Sequence, residues 1–359
     1  MSRVSARRSC AAAMAALLLC ACGDDPAPYD PGDPPYDKLS DWRFFRGALA
    51  DLQPSSDVLP YTVVAPLWAD FAGKGRYFRL PEGGKIDFTD KDEWGFPEGT
   101  IFIKTFFFDT DRSDPDDEPR IVETRLLVYE PAGIASYIYL WNDAQDEAER
   151  IKGGADVHLS YTDADGKPAE QLYLVPDQNT CEDCHARDDV AVVLGPTTHQ
   201  LNTAAPPESE EQGNQIDLFA SLGLFREAPP AAASLPAFHA PTGDGALAER
   251  ARSYLHGNCA HCHRPGGGGG PSGLSFLYWE DRPAEYGVCK VPAAAGAGAG
   301  GRQVDIWPGD PERSIVPFRM STTDPDIKMP ELPSLLADEF GAKLVSDWIA
   351  SLTDPACEY

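Results

Sequence analysis

Two five-residue runs carry the chemistry of this sequence, Cys181-Glu-Asp-Cys184-His185 and Cys259-Ala-His-Cys262-His263. In a Cys-x-x-Cys-His run the two thiols add to the vinyl groups of a haem, and the adjacent histidine becomes the proximal iron ligand. Two intervening residues bring both sulfurs to one edge of the porphyrin, which leaves the next histidine beneath the iron. The expectation is two covalently bound c-type haems, one on Cys181, Cys184 and His185 and the other on Cys259, Cys262 and His263. The alternative is a zinc ribbon in which the four cysteines act as thiolates around one ion. The histidine that trails both pairs favours haem.

Each iron would need a sixth ligand. Beyond the amino-terminal segment the methionines are Met320 and Met329. Met329 precedes Pro330 and then a helical pattern, the arrangement in which small cytochromes c present a thioether opposite the proximal histidine. Met329 is therefore assigned to the His263 haem. For the His185 haem the candidates are His158, His199, His239, His256, His261 and Met320, with His199 and Met320 placed first. His261 lies between the two cysteines of its own run and is expected to point away from its own haem.

The elements that must position these groups divide the chain. Residues 22–38 are dense in Pro and Asp and read as an extended tether. Residues 39–203 form a β-rich domain that ends in the first haem run. Strand patterns cover 100–108, 121–129, 136–141, 158–161 and 171–175 with short polar turns between them, which suits an antiparallel sandwich or barrel. Two acidic loops, 109–118 and 163–166, read as solvated hairpin turns, with calcium binding as the alternative. Residues 204–245 read as a linker with one short helix. Residues 246–359 are expected to be an all-α, cytochrome c-like domain. One helix brings Leu247, Ala251, Tyr254 and Leu255 onto one face before Cys259, and another closes the chain with Leu336, Phe340, Leu344, Trp348 and Leu352 in register. The fold class is thus α+β and multidomain. Glycine-rich runs at 266–270 and 293–301 read as flexible loops near the haem edge, without the strand-to-helix setting of a phosphate-binding loop.

The amino terminus addresses the compartment. Arg3, Arg7 and Arg8 precede an apolar run at 11–19 that is too short to span a bilayer but suits a secretory signal over residues 1–21. The following Leu19-Cys20-Ala21-Cys22-Gly23 resembles a bacterial lipobox, which implies cleavage before Cys22, lipidation of its thiol, and a membrane anchor. Once Cys10 and Cys20 leave with the signal, lipid takes Cys22 and haem takes four thiols, Cys289 and Cys357 remain of the nine. An even remainder in an oxidising compartment suggests a disulfide, with two unpaired thiols as the alternative. The formal charge is −27, and losing residues 1–21, with three arginines and no acids, makes it −30. That acidity argues against nucleic acid as a partner; it suits solubility of an exported protein, with the steering of a basic redox partner protein as the sharper alternative.

Several stretches together resemble a bacterial family of exported diheme c-type cytochromes. They are Pro97-Glu-Gly-Thr-Ile-Phe-Ile-Lys-Thr-Phe106, Glu123-Thr-Arg-Leu-Leu127, Leu140-Trp-Asn-Asp-Ala-Gln145, Asn258-Cys-Ala-His-Cys-His-Arg-Pro-Gly266, Arg319-Met-Ser-Thr-Thr-Asp-Pro325 and Met329-Pro-Glu-Leu332. The resemblance covers nearly the whole exported chain and implies two haems and this architecture, but no substrate. It also lowers His199 as a ligand and raises Met320. The expected function is electron transfer between redox partners on the periplasmic side of the envelope, as an outer-membrane lipoprotein. The rival is a diheme peroxidase or oxidase in which one iron lacks a strong sixth ligand.

Overall fold

A computed structural model describes residues 35–359 except 189, 294, 332, 333, 354–356, 358 and 359. The expected signal, Cys22 and residues 22–34 of the tether lie outside the described residues. The strands are β1 (Phe45–Arg46), β2 (Gln53–Pro54), β3 (Val58–Pro60), β4 (Gly73–Arg79), β5 (Ile101–Phe108), β6 (Arg120–Glu130), β7 (Gly133–Trp141), β8 (Ala148–Ile151), β9 (Ala155–Thr162), β10 (Pro168–Val175), β11 (Ala186–Arg187) and β12 (Val190–Ala191). The helices are α1 (Gln178–Cys184), α2 (Thr198–Leu201), α3 (Gln215–Ser221), α4 (Leu247–Cys259), α5 (Ile315–Met320) and α6 (Glu339–Ser351).

Strands β3 to β8 pair in sequence order as one six-stranded antiparallel meander. The sandwich of two comparable sheets does not form: the second layer is the two-stranded β9–β10 hairpin. Alternation along β5 shows how the sheet is covered. Ile101 and Ile103 join a core with Leu39, Trp42 and Phe44 from the segment before the sheet. On the opposite face Phe102 packs with Phe78, Ile216 and Phe219, while Phe106 and Phe108 pack with Leu159, Tyr173 and Val175 of the hairpin. Between these two apolar clusters, on that same face, stands Lys104. A side-chain period of two assigns it there.

Two expected connectors are part of the packed body. Tether residues 36–38 dock beside β8, where Arg150 N–H donates to the Asp37 carbonyl at 2.8 Å. The linker 204–245 buries Ile216, Phe219, Phe225 and Ala232 against the sheet. These apolar side chains recur within α3 and just after it, enough to hold a polar, proline-rich segment down. Asp165-Gly166 makes the turn of the β9–β10 hairpin, with Gly166 at φ +77°. In both acidic loops the aspartates accept from their own backbone: Asp163 from Asp165 and Lys167, Asp117 from Thr110 and Asp111.

Residues 246–353 carry α4, α5 and α6 and, among the described residues, no strand, but turns and irregular backbone fill most of the length. An all-α domain is therefore not what the described residues form. Helices α4 and α6 pack through Ala251, Tyr254, Leu255, Leu344, Val345 and Trp348. Gly341 is required at that crossing, since a Cβ there would lie 2.1 Å from the Tyr254 ring. Phe340, assigned to the buried face from its spacing, is 44 % exposed. Leu344 and Trp348 are buried as their spacing requires, but Leu336 precedes the helix and the first turn presents Gly341 and Ala342 to the core in place of Phe340. Cys289 and Cys357 form a disulfide that closes a loop of 68 residues.

The two halves meet along buried contacts. Asp70, fully buried, accepts from Leu335 N–H at 2.7 Å and from Leu336 N–H at 3.0 Å. Trp68 N–H donates to Asn258 Oδ1 at 2.7 Å, and a Cβ on Gly257 would strike the Ala65 carbonyl at 2.4 Å.

Candidate haem sites

Each Cys-x-x-Cys-His run walls its own cavity. For the first, Asp177 caps α1 by accepting from Thr180 N–H at 2.8 Å. The helix then turns Cys181 and Cys184 onto one face, three residues apart. His185 follows as the C-cap residue, and its Nδ1 lies 2.9 Å from the Val192 carbonyl. A carbonyl can only accept, so Nδ1 carries the proton and Nε2 keeps its lone pair. The second run continues α4, with His263 N–H donating to the Cys259 carbonyl at 2.8 Å. His263 Nδ1 lies 3.1 Å from Ser272 Oγ. The Ser272 hydroxyl donates to the Gly269 carbonyl at 2.6 Å, which leaves its oxygen to accept from Nδ1–H. Both histidines are thus held in the tautomer an iron ligand needs, by the partner type that orients metal-bound imidazoles.

The glycine run 266–270 is a tight wrap, not a loose loop. A Cβ on Gly267 would meet the Cys262 carbonyl at 2.4 Å, and one on Gly269 would meet His263 Nδ1 at 2.9 Å. Glycine there lets the backbone pass close beneath the histidine and present Ser272.

The first cavity, about 170 Å³, is lined by Cys181, Cys184, His185, His256, His261 and a set of cations from the sheet. Long basic side chains, Arg76, Lys104, Arg125 and Arg264, are part of its wall. The second, about 500 Å³, is lined by Cys259, Cys262, His263, Met320 and Met329 among others, a volume within the range of cofactor pockets. Cys184 and His261 line both, and the Cys184 and Cys262 thiols approach one another. Glu93 ties the two runs together by pairing with both Arg187 and Arg264.

Electrostatics favour neutral groups. Burial holds His185 and His263 down at about 4, so both imidazoles are neutral at physiological pH. Cys184 is pushed up to about 12, first by its hydrogen bond with Cys262 and then by burial, and burial alone pushes Cys259 up to about 12. Thiols of this kind are poor thiolate ligands, whereas addition across a vinyl group consumes an intact S–H. Among the described residues no three His, Cys, Asp or Glu side chains converge as a metal site. The four sulfurs therefore do not surround one point, as the zinc ribbon requires.

The candidate sixth ligands separate clearly. Met329, half-buried and held by its N–H to the Arg319 carbonyl at 2.9 Å, lines the cavity of His263. Met320 lines that same cavity, so it is not placed to serve the first iron, and it is 6 % exposed within the α4–α6 core. His158 and His239 are exposed. His199 is buried among Phe238, Tyr278 and Trp279 and is not part of the first cavity wall. Of the six, the first cavity holds His256 and His261. The Tyr278 N–H donates to His256 Nδ1 at 3.0 Å, which puts the imidazole proton on Nε2. The cations Arg76, Lys104 and Arg125 were missed in the sequence. Their only signal was a charged residue recurring at the inward position of successive strands.

Comparisons with known protein families, characterised proteins and solved structures find no match for this chain. Among the described residues no helix is long and apolar enough to cross a membrane.

Proposed function

We propose that this chain is an exported diheme c-type cytochrome that passes electrons between redox partners. Its carboxyl-terminal helices would serve as a cytochrome c-like haem domain beside the β-rich one. A c-type haem, when bound, supplies a one-electron Fe(III)/Fe(II) couple. Cys181 and Cys184 would hold the first through thioethers and His185 would ligate its iron, while Cys259, Cys262 and His263 would do the same for the second. Met329 would complete the coordination at His263, and a thioether there favours the reduced state and so a high potential.

For the first site, His261 is the histidine of the cavity able to offer a lone pair, since the Tyr278 amide commits His256 to the tautomer with a protonated Nε2. The observation that carries the electron-transfer reading is the contact between Cys184 and Cys262. It supports the reading by bringing the second cysteines of the two runs together, which would leave a short path for exchange between the two haems. The sequence features of the amino terminus add an anchor at Cys22 on the periplasmic face of the outer membrane, and the acidic surface adds a basic partner.

The test is a reductive titration of the purified protein. It should take up two electrons per chain and reoxidise with a basic acceptor protein. Turnover of peroxide through an open iron would replace this function with an enzymatic one.

A further inference from the structure

Three cations stand directly opposite one another across the sheet. Arg76 on β4 pairs with Lys104 on β5, and Lys104 pairs with Arg125 on β6. All three line the cavity of Cys181, Cys184 and His185. Like charges in register on neighbouring strands destabilise a sheet, and an unpaired charge removed from water is costlier still. A row of this kind persists when an anion belongs against it.

The charges specify how much anion. Arg125 is neutralised by Glu123, whose carboxylate is 0 % exposed and also accepts from Tyr173 OH at 2.6 Å. Arg76 reaches only the Lys74 carbonyl at 3.4 Å, and Lys104 lies over the Phe106 ring at 4.9 Å. Among the described residues neither meets a carboxylate. The acid of the cavity wall, Glu93, is committed to Arg187 and Arg264. Two basic side chains are left without a carboxylate, with burial and then Arg76 holding the Lys104 ammonium well below its ordinary range, and they face the cavity that Cys181, Cys184 and His185 also line.

We propose that Arg76 and Lys104, with Arg125 beside them, form an inward-facing dicarboxylate site that binds the two propionates of the first haem. This rests on the haem reading above and extends it. Two carboxylates would match the two basic side chains that meet none in the protein. Flexible cationic side chains fit the task, since bidentate arginine and point-charge lysine are the usual carboxylate partners.

The experiment compares the wild type with Arg76→Gln/Lys104→Gln, with each single Gln variant, and with Lys104→Arg, by spectroelectrochemistry at pH 8. At that pH carboxylates are ionised with or without a cation. The second haem is told apart by its sulfur-to-iron charge-transfer band, and intact mass verifies two haems in each variant. Loss of each positive charge should favour ferric iron in the first haem about tenfold, a downward shift of about 59 mV per step. Lys104→Arg should keep the wild-type potential. If the double variant does not take up haem, the single variants carry the same comparison.

An unchanged first-haem potential in variants with both haems attached overturns the inference while leaving the diheme reading intact. A change of spin state in Lys104→Gln would make Lys104 an iron ligand and also overturn it. So would nitrite, added as an oxyanion probe, if it perturbs the wild-type spectrum but not that of an Arg76→Gln/Lys104→Gln variant with unshifted potential, because the row would then take a free anion. A wild type without haem on Cys181 and Cys184 would remove the underlying reading itself.

Discussion

The thiols of Cys184 and Cys262 approach one another, although 78 positions separate them in the chain. Each is the second cysteine of its run, so the contact joins corresponding edges of the two sites. With both sites loaded, the two ferric irons should couple magnetically. The electron paramagnetic resonance spectrum of the oxidised protein should therefore differ from the sum of two single-site variants, Cys181→Ala/Cys184→Ala and Cys259→Ala/Cys262→Ala. A wild-type spectrum equal to that sum would mean the sites act independently.

Met329 and Met320 share a cavity but differ in surroundings, and the difference separates ligand from packing. Met329→Ala should abolish the sulfur-to-iron charge-transfer band and lower the potential of the second haem, with the first nearly unchanged. Met320→Ala should keep the band but lose about 2 to 5 kcal/mol of stability, because Met320 is 6 % exposed in the α4–α6 core. The opposite pattern would exchange their roles.

His261 and His256 make a second discriminating pair. His261→Ala should turn the first haem high-spin in the oxidised state. His256→Ala should leave it low-spin while reducing stability, since it strands the Tyr278 N–H. A low-spin first haem in His261→Ala would assign the sixth ligand elsewhere.

His199 gives the fold a dependence on pH. Burial, and then Lys91, hold it down at about 4, against which Asp90 acts weakly. Its Nδ1 is buried without a hydrogen-bond partner among the described residues. The unfolded chain binds a proton at this site more readily than the folded one, so its share of stability is full above about pH 6.5 and is lost as pH falls toward 4. About 3 kcal/mol is at stake over that window. His199→Phe keeps a ring against Phe238 and Trp279, and denaturant unfolding at pH 7 and pH 5 should show a smaller loss on acidification than in the wild type. An equal loss in both would place the titration at other groups.

The strands and helices were legible because their patterns are local. Alternation in 100–108 and 121–129 names β5 and β6, and the 3.6-residue spacing of Leu247, Ala251, Tyr254 and Leu255 names α4. The Cys289–Cys357 pair followed from cysteine arithmetic. What sequence could not give depends on contacts between distant segments. The packing of 204–245 on the sheet, the meeting of Cys184 with Cys262 and the docking of Asp70 on Leu335 and Leu336 join residues far apart in the chain. The Arg76, Lys104 and Arg125 row needed the register of three strands, and a shift of one residue would turn those side chains to the other face. The error at Phe340 arose where Gly341, which carries no apolar signal, marks the closest approach of α6 to Tyr254.

Whether both Cys-x-x-Cys-His runs carry haem is read directly by intact mass of the protein expressed in a host that matures c-type cytochromes. Two haem additions are expected. One addition should remain in Cys181→Ala/Cys184→Ala, one in Cys259→Ala/Cys262→Ala, and none when all four cysteines are replaced. A wild-type mass with a single addition or none would contradict the diheme reading, and with it the electron-transfer function proposed for the Cys184 and Cys262 contact.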